Sequence, residues 1–319
     1  MTTEASRPYA LSKLSAGLVA GAFIACSLAW MFLVGLGAMA FVLAVASWNG
    51  AGPEVLERPP AMTTGVMAAA TISQFVGMWA IANALMRWTR YGSSDSEAQP
   101  GPHTRRDIWA WRAPEPRVSL GIGAVSGLIL GFLPAKIAEW VAVAEPTLDH
   151  GGLARIATAL NEGSGAERAL FAVAVCVIAP IVEELTFRGF LFDTLARAVG
   201  GFGAWALTTV LFAAYHLDPV HAAAVLFTGA CLGGLRAASG STWPPILAHL
   251  GNNLMAAFFA VTATDGTAQV PTWAALLSGA AVTLLVVGLV GSSRRTSTAK
   301  TGGEAGGARR SGVNAAAAP

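Results

Sequence analysis

The chain has 319 residues, of which 54% are hydrophobic and only 12% are charged, and its formal net charge is +2. Average soluble domains carry about 25% charged residues, so this deficit argues against a soluble protein and indicates a membrane protein. The small net charge argues against a nucleic-acid partner. The three cysteines, Cys26, Cys176 and Cys231, lie singly in apolar runs, which argues against a disulfide framework or a CxxC zinc site.

A membrane-spanning helix needs about 20 mostly apolar residues. The sequence therefore predicts an all-α fold, a polytopic bundle of about eight transmembrane helices. The spans are expected at roughly 14–48, 62–86, 118–144, 168–182, 201–217, 219–238, 244–262 and 272–291. The fourth helix can continue past residue 182 until the Gly200–Gly201 pair breaks it, so the fourth and fifth spans are predicted to form a hairpin.

The distribution of basic residues predicts the orientation in the membrane. The 87–117 connection holds six arginines, and the tail after residue 291 holds five arginines and lysines. In contrast, the 49–61 connection holds only Arg58, and the 263–271 connection holds no basic residue. By the positive-inside rule, we expect a multi-pass protein of the cell membrane with both termini and the 87–117 loop in the cytoplasm.

The same reading divides the chain into four parts. Residues 1–13 form a cytoplasmic N-terminal segment, and residues 14–150 hold the first transmembrane helices. Residues 151–291 form a second transmembrane region, which contains every candidate functional residue between positions 183 and 253. Residues 292–319 are rich in Gly, Ser and Ala without apolar periodicity, so this tail is expected to be disordered.

The first cluster of charges within an apolar setting is PIVEELTFRGF, residues 180–190. A charge deep in a bilayer costs about 2.5–3.5 kcal/mol on insertion scales, so it must pair or face a polar cavity. Glu184 and Arg188 are four residues apart, which predicts an ion pair on one helix face. Glu183 points about 100° away from Glu184, so it is free for another partner. The alternative is that all three charges lie at the membrane surface.

Two later spans carry further polar clusters. Phe212 and His216 are four residues apart in VLFAAYHLDP, and His249 and Asn253 are four residues apart in PPILAHLGNNL. Ionisable groups within spans usually face a functional interior. The fifth helix is expected to end at HLDP within the membrane, because Pro219 cannot continue it. That break would allow the three clusters to meet.

These residue types suit hydrolysis by an activated water molecule. A carboxylate with a neighbouring histidine can act as general base, while a second histidine and an asparagine amide can donate to the oxyanion of a tetrahedral intermediate. No GxSxG and no HExxH motif occurs. A zinc site of Glu183, His216 and His249 stays an alternative, because two histidines, a glutamate and water form a known catalytic set. No other cofactor is indicated.

The three clusters in this order resemble the CPBP family of membrane proteins, the CAAX-protease and bacteriocin-processing proteins also called Abi. Type II CAAX prenyl endopeptidases belong to this family, whose pattern is EExxxR, FxxxH and HxxxN or HxxxD. The resemblance covers about residues 165–262. It implies an intramembrane endopeptidase acting on a membrane-associated peptide or protein, and many bacterial members are classed as metalloproteases. By motif position, the resemblance implies that Glu183 and His216 activate water. It implies that His249 and Asn253 stabilise the oxyanion. Glu184 and Arg188 would hold the helix or contact substrate, with Phe212 in support.

Two other functions are weighed against the protease. A non-catalytic peptide-binding or immunity protein could keep the same fold, but it would need neither a water activator nor an oxyanion pair. A transporter would need ionisable residues along a path, whereas those of this chain cluster at one site. The resemblance does not imply a particular substrate, and the sequence shows nothing that selects prenylated peptides.

Overall fold

The computed structural model describes residues 13–48, 61–91, 109–148, 151–162, 164–262 and 270–314. Every regular element in this part of the chain is helical, so the predicted all-α fold is confirmed. The helices are α1 (Lys13–Trp48), α2 (Ala61–Tyr91), α3 (Val118–Leu130), α4 (Phe132–Ala144), α5 (Gly151–Asn161), α6 (Gly165–Val173), α7 (Ala179–Glu184), α8 (Phe192–Ala214), α9 (Pro219–Ser239), α10 (Trp243–Thr262) and α11 (Thr272–Asn314). Two π-helical turns, Ala174–Ile178 and Leu185–Leu191, flank α7.

Seven described helical segments are long and apolar enough to cross a membrane. Six correspond one to one with predicted spans. The seventh, Gly165–Ala214, has 50 residues, and a straight helix of that length would extend about 75 Å, more than twice the roughly 30 Å of a bilayer core. It contains both the fourth and the fifth predicted spans.

Gly200 divides this long segment. Its backbone has φ 78° and ψ 170°, which is not helical, and glycine adopts such angles without the steric cost that a Cβ brings. The chain then returns along itself, because the rings of Phe187 and Phe212, 25 positions apart, lie 5.5 Å from each other. The predicted hairpin and the count of about eight crossings are therefore confirmed.

The end of the fifth span lies at the predicted place. Helix α8 ends at Ala214, and α9 begins at Pro219. Between them Leu217 has a positive φ of 54°, and the Asp218 side chain caps α9 by accepting from the backbone N–H of His221 at 2.9 Å. A capping carboxylate followed by proline at the first helical position is a strong helix start. His216 therefore lies in a short break between two membrane helices.

Helix α5 connects this break to α10, and the sequence did not predict it. Its 11 residues are too few to cross a bilayer. At one end the backbone N–H of Gly152 donates to Asp218 Oδ2 at 3.0 Å, and at the other Asn161 Nδ2 donates to the carbonyl of Ala260 at 3.0 Å. This helix therefore holds the start of α9 and the end of α10 in a fixed relation.

The C-terminal tail differs from its expectation. Helix α11 continues to Asn314, so residues 292–314 are helical where disorder was expected. Alanine and arginine favour helix, and extending an existing helix costs far less than starting one. Residues 1–12 of the N-terminal segment, 49–60, 92–108 of the arginine-rich loop, 263–269 and 315–319 lie outside the described residues.

Candidate active site

The buried ion pair predicted between Glu184 and Arg188 is present. Arg188 Nη1 donates to Glu184 Oε1 at 2.9 Å, and both side chains are fully buried. Arg188 also donates through Nη2 to the carbonyl of Gly229 at 3.0 Å, and its guanidinium lies 4.3 Å from the centre of the Phe212 ring. The arginine charge is therefore met by a carboxylate, a carbonyl dipole and an aromatic face. The alternative of three charges at the membrane surface does not hold for this pair.

Glu183 occupies a different environment from Glu184. Its side chain is 16% exposed, and its Oε2 lies 3.7 Å from Nε2 of His249. Glu184 Oε1 meets the other nitrogen of the same ring, Nδ1 of His249, at 2.9 Å. A carboxylate only accepts, so Nδ1 of His249 donates to Glu184, and Nε2 faces Glu183. One histidine on α10 therefore contacts both neighbouring glutamates.

The π-helical turns place these side chains. Such turns are rare and frequently lie at functional sites. The turn Leu185–Leu191 contains Arg188, whose carbonyl accepts from Nε of Arg236 at 2.7 Å. Arg236 also pairs with Asp193 at 2.5 Å. The second buried arginine, Arg236, thus ties the backbone of this turn to Asp193.

Phe212 lies at the centre of the three motifs. Its ring makes edge contacts with the rings of Phe187 at 5.5 Å, His216 at 5.1 Å and His249 at 5.6 Å. Edge-to-face geometry at these distances stabilises aromatic pairs. Phe212 therefore separates and orients the two histidines, and the three sequence motifs lie together in the structure.

His216 is the member of the site that lies nearest the helix break. Its Nδ1 is 2.9 Å from the carbonyl of Phe212, and because a carbonyl only accepts, Nδ1 carries the proton in the neutral ring. Its Nε2 is then the acceptor nitrogen. His216 also packs against the His221 ring at 4.3 Å. Its described contacts are with Phe212 and His221, so the structure places His249, and not His216, directly beside Glu183.

Asn253 lies on α10 one turn beyond His249. Its Nδ2 donates to the carbonyl of Val175 at 2.8 Å, and its Oδ1 accepts from Nδ2 of Asn252 at 3.0 Å. Val175 belongs to the π-helical turn Ala174–Ile178, whose carbonyls are spaced differently from those of an α-helix. Both Nδ2 and Oδ1 of the Asn253 side chain are therefore hydrogen-bonded.

The metal alternative can be compared with this geometry. In the part of the chain that the structure describes, no group of three or more His, Cys, Asp or Glu side chains is arranged to hold a metal ion. Nδ1 of His249 is engaged by Glu184, and Nδ1 of His216 by a backbone carbonyl. In both rings Nε2 is the nitrogen left for a water molecule or a metal ion, and the zinc site of Glu183, His216 and His249 stays a prediction that chelation tests.

Sequence reasoning missed several groups that border the site. These are the carbonyls of Gly229 and Val175, the Arg236–Asp193 pair and the amide of Asn252. Arg236 carries its own signal, because a charge within the apolar run 219–238 requires a partner. Backbone carbonyls carry no such signal in the sequence, since every residue has a carbonyl.

Comparison with known proteins agrees with this site. Residues 165–255 match the family model described as Type II CAAX prenyl endopeptidase Rce1-like, and that stretch contains all three motifs. This match and the relative described next support the CPBP and CAAX protease family for this part of the chain.

A curated relative supports the same family. "Putative membrane peptidase YdiL" of Bacillus subtilis (strain 168) is 31% identical over 81 residues, which is 25% of this chain and 33% of that protein. The chain therefore matches about a third of the length of this relative (33%). No solved structure matches the chain. The family match begins with α6 and ends within α10, and the helices before and after it are described by the structure alone.

Proposed function

We propose that the protein is an intramembrane endopeptidase that hydrolyses a peptide bond of a membrane-associated peptide or protein. The observation that carries the proposal is the different use of two adjacent glutamates. Glu184 is committed to Arg188 and His249, whereas Glu183 lies 3.7 Å from His249 Nε2 without a cation of its own helix. A substrate group that lies beside Oε2 of Glu183 therefore also lies beside Nε2 of His249. General-base hydrolysis requires a base and a second polar group this close to the same reacting group.

In this mechanism Glu183 and His216 activate the attacking water. Glu183 takes the proton from water as the oxygen attacks the peptide carbonyl, and it returns that proton to the amide nitrogen as the tetrahedral intermediate collapses and the C–N bond breaks. Nε2 of His216 is the acceptor nitrogen of its ring, so it can accept a hydrogen bond from the same water and orient it. Both residues lie within the stretch 165–255 that matches the family model.

His249 and Asn253 stabilise the oxyanion that forms on the carbonyl. His249 donates to Glu184 through Nδ1, so its imidazolium form has Nε2–H available for the oxyanion. Asn253 commits one N–H to Val175 and has a second to donate. Preorganised donors of this kind stabilise a charge that develops only in the transition state.

The test is cleavage of a pool of quenched-fluorescent peptides by the purified full-length chain in detergent micelles. Glu183→Ala and His216→Ala should each abolish turnover, and the double variant should lose little more than either, because groups acting as one unit are non-additive. The thermal unfolding midpoint of each variant controls for folding. Cleavage at the wild-type rate by Glu183→Ala would contradict the proposal. Peptide binding without cleavage would favour the non-catalytic binding protein.

The oxyanion donors should give weaker effects. His249→Ala and Asn253→Ala should keep measurable activity, since removing one oxyanion donor typically lowers kcat by about 10²–10³. The same assay checks this, with and without a chelator. Loss of activity on chelation that zinc restores would turn Glu183, His216 and His249 from water activators into metal ligands. Cleavage at the wild-type rate by both variants would contradict the oxyanion role of His249 and Asn253.

A further inference from the structure

Asn252 lies beside the proposed oxyanion donor and is no part of the three motifs. It is 7% exposed, and its Nδ2 donates to Asn253 Oδ1 at 3.0 Å. Its own Oδ1 is buried and has no hydrogen-bond partner among the described residues. A buried acceptor without a partner costs about 1–3 kcal/mol, so the orientation of this amide calls for an explanation.

The explanation begins at the π-helical turn Ala174–Ile178. The carbonyl of Val175 can only accept, so the group of Asn253 that faces it at 2.8 Å must be Nδ2. Asn253 Oδ1 then points to Asn252, and that oxygen also only accepts. Asn252 must therefore present Nδ2, which leaves its own Oδ1 at the end of the chain of hydrogen bonds. Each amide orientation dictates the next.

We propose that Asn252 is a positioning residue for the cleavage reaction, which locks the Asn253 amide so that its uncommitted N–H faces the substrate carbonyl. The inference rests on the proposed function. Without the Asn252 donor, the Asn253 amide is held only at its Nδ2 by the Val175 carbonyl, so it turns about that contact more easily and the oxyanion donor is correctly oriented for only part of the time. The cost falls on the transition state, where the oxyanion exists, and not on substrate binding.

The kinetic test uses the peptide that the wild-type chain cleaves fastest from the pool. Asn252→Ala and Asn252→Asp should each lower kcat about 10-fold or more, approaching the 10²–10³ of losing one oxyanion donor, with KM changed less than about threefold. The aspartate variant is nearly the same size but replaces the donor by an acceptor. Asn83→Ala is the matched control, because Asn83 is a half-buried residue of α2 whose Nδ2 donates within its own helix, to Trp79 at 2.7 Å. It should behave as wild type.

The double variant separates positioning from folding. If Asn252 acts through Asn253, Asn252→Ala should have no further effect on kcat in the Asn253→Ala background. An equal fold loss in both backgrounds would show an independent structural role and overturn the inference. So would wild-type kcat in Asn252→Ala and Asn252→Asp, provided that Glu183→Ala is inactive. If Glu183→Ala itself cleaves like wild type, the proposed function fails, and the catalytic role of Asn252 fails with it.

A second readout does not depend on cleavage. The chain has six asparagines, so ¹⁵N-asparagine labelling gives a small set of side-chain amide signals, and the Asn253 pair is the one that disappears in Asn253→Ala. That pair should shift or broaden in Asn252→Ala and stay unchanged in Asn83→Ala. An unchanged Asn253 signal in Asn252→Ala would also overturn the inference. Thermal unfolding midpoints confirm that the variants are folded.

Discussion

At the scale of single residues, the main feature of the site is that the neighbouring acids share His249, while only Glu184 also pairs with a cation. Consecutive helical residues point about 100° apart, so Glu183 and Glu184 cannot face the same group on their own helix. Glu184 is fully buried and contacts Arg188 and His249. Glu183 keeps a 16% exposed side chain and faces only the far nitrogen of His249 among its described contacts. One acid holds the structure, and the other is available for chemistry.

This division gives a stability prediction. Glu184→Gln and Arg188→Gln should each destabilise the protein by about 3–5 kcal/mol, because removing one partner of a buried pair leaves an uncompensated charge. Glu183→Gln should have a much smaller effect, since it removes no described hydrogen bond. Thermal unfolding midpoints and membrane abundance measure both. A larger loss for Glu183→Gln than for the other two would reverse the assignment of the acids.

At the scale of elements, helix ends were predictable and internal turns were not. The Asp218 cap, Pro219 and the Gly200 break follow from local backbone chemistry, which a sequence displays directly. The π-helical turns around α7 were not predicted. Their residues have ordinary helical composition, and the wider turn is stabilised by contacts from other helices, such as Arg236 to the Arg188 carbonyl and Asn253 to the Val175 carbonyl.

The packing of α3 against α10 gives a prediction at the same scale. A Cβ added at Gly127 would lie 2.5 Å from the carbonyl oxygen of Ala248, one residue before His249. Gly127→Ala should therefore displace α10 and destabilise the protein by about 1–3 kcal/mol, the usual cost of overpacking, with a fall in cleavage rate.

Gly121→Ala is the control for this variant. Gly121 lies on the same helix, and a Cβ there meets nothing within 4 Å, so the change should leave stability and activity unchanged or slightly raise stability. Unfolding midpoints in detergent and cleavage rates check the pair. Equal midpoints for the two variants would show that the close approach of α3 and α10 does not limit stability.

At the scale of the whole molecule, seven apolar segments and one hairpin give eight membrane crossings in the described chain. An even number of crossings places the two ends of the bundle on the same side. The arginines and lysines of the 87–117 connection and of the tail indicate which side, because cytoplasmic loops carry the excess of basic residues.

We therefore predict that the 87–117 loop faces the cytoplasm and that the 263–271 connection faces outward. The measurement is labelling of single cysteines with a membrane-impermeant maleimide, in a chain where Cys26, Cys176 and Cys231 are replaced by alanine. Thr267→Cys should react in intact cells, and Ser94→Cys only after the cells are permeabilised. The reverse pattern would invert the topology.

The sequence alone determined the all-α membrane architecture, the hairpin at Gly200, the helix break at His216 and the Glu184–Arg188 pair. Each depends on interactions that are local along the chain: apolar length, a backbone conformation, a cap, or a spacing of four residues on one helix. Tertiary structure decided which histidine lies beside Glu183. His249 is 66 positions further along the chain from Glu183, and it reaches both glutamates because α10 packs against α3 and α7. No local pattern records that distance, since it results from how several helices pack together.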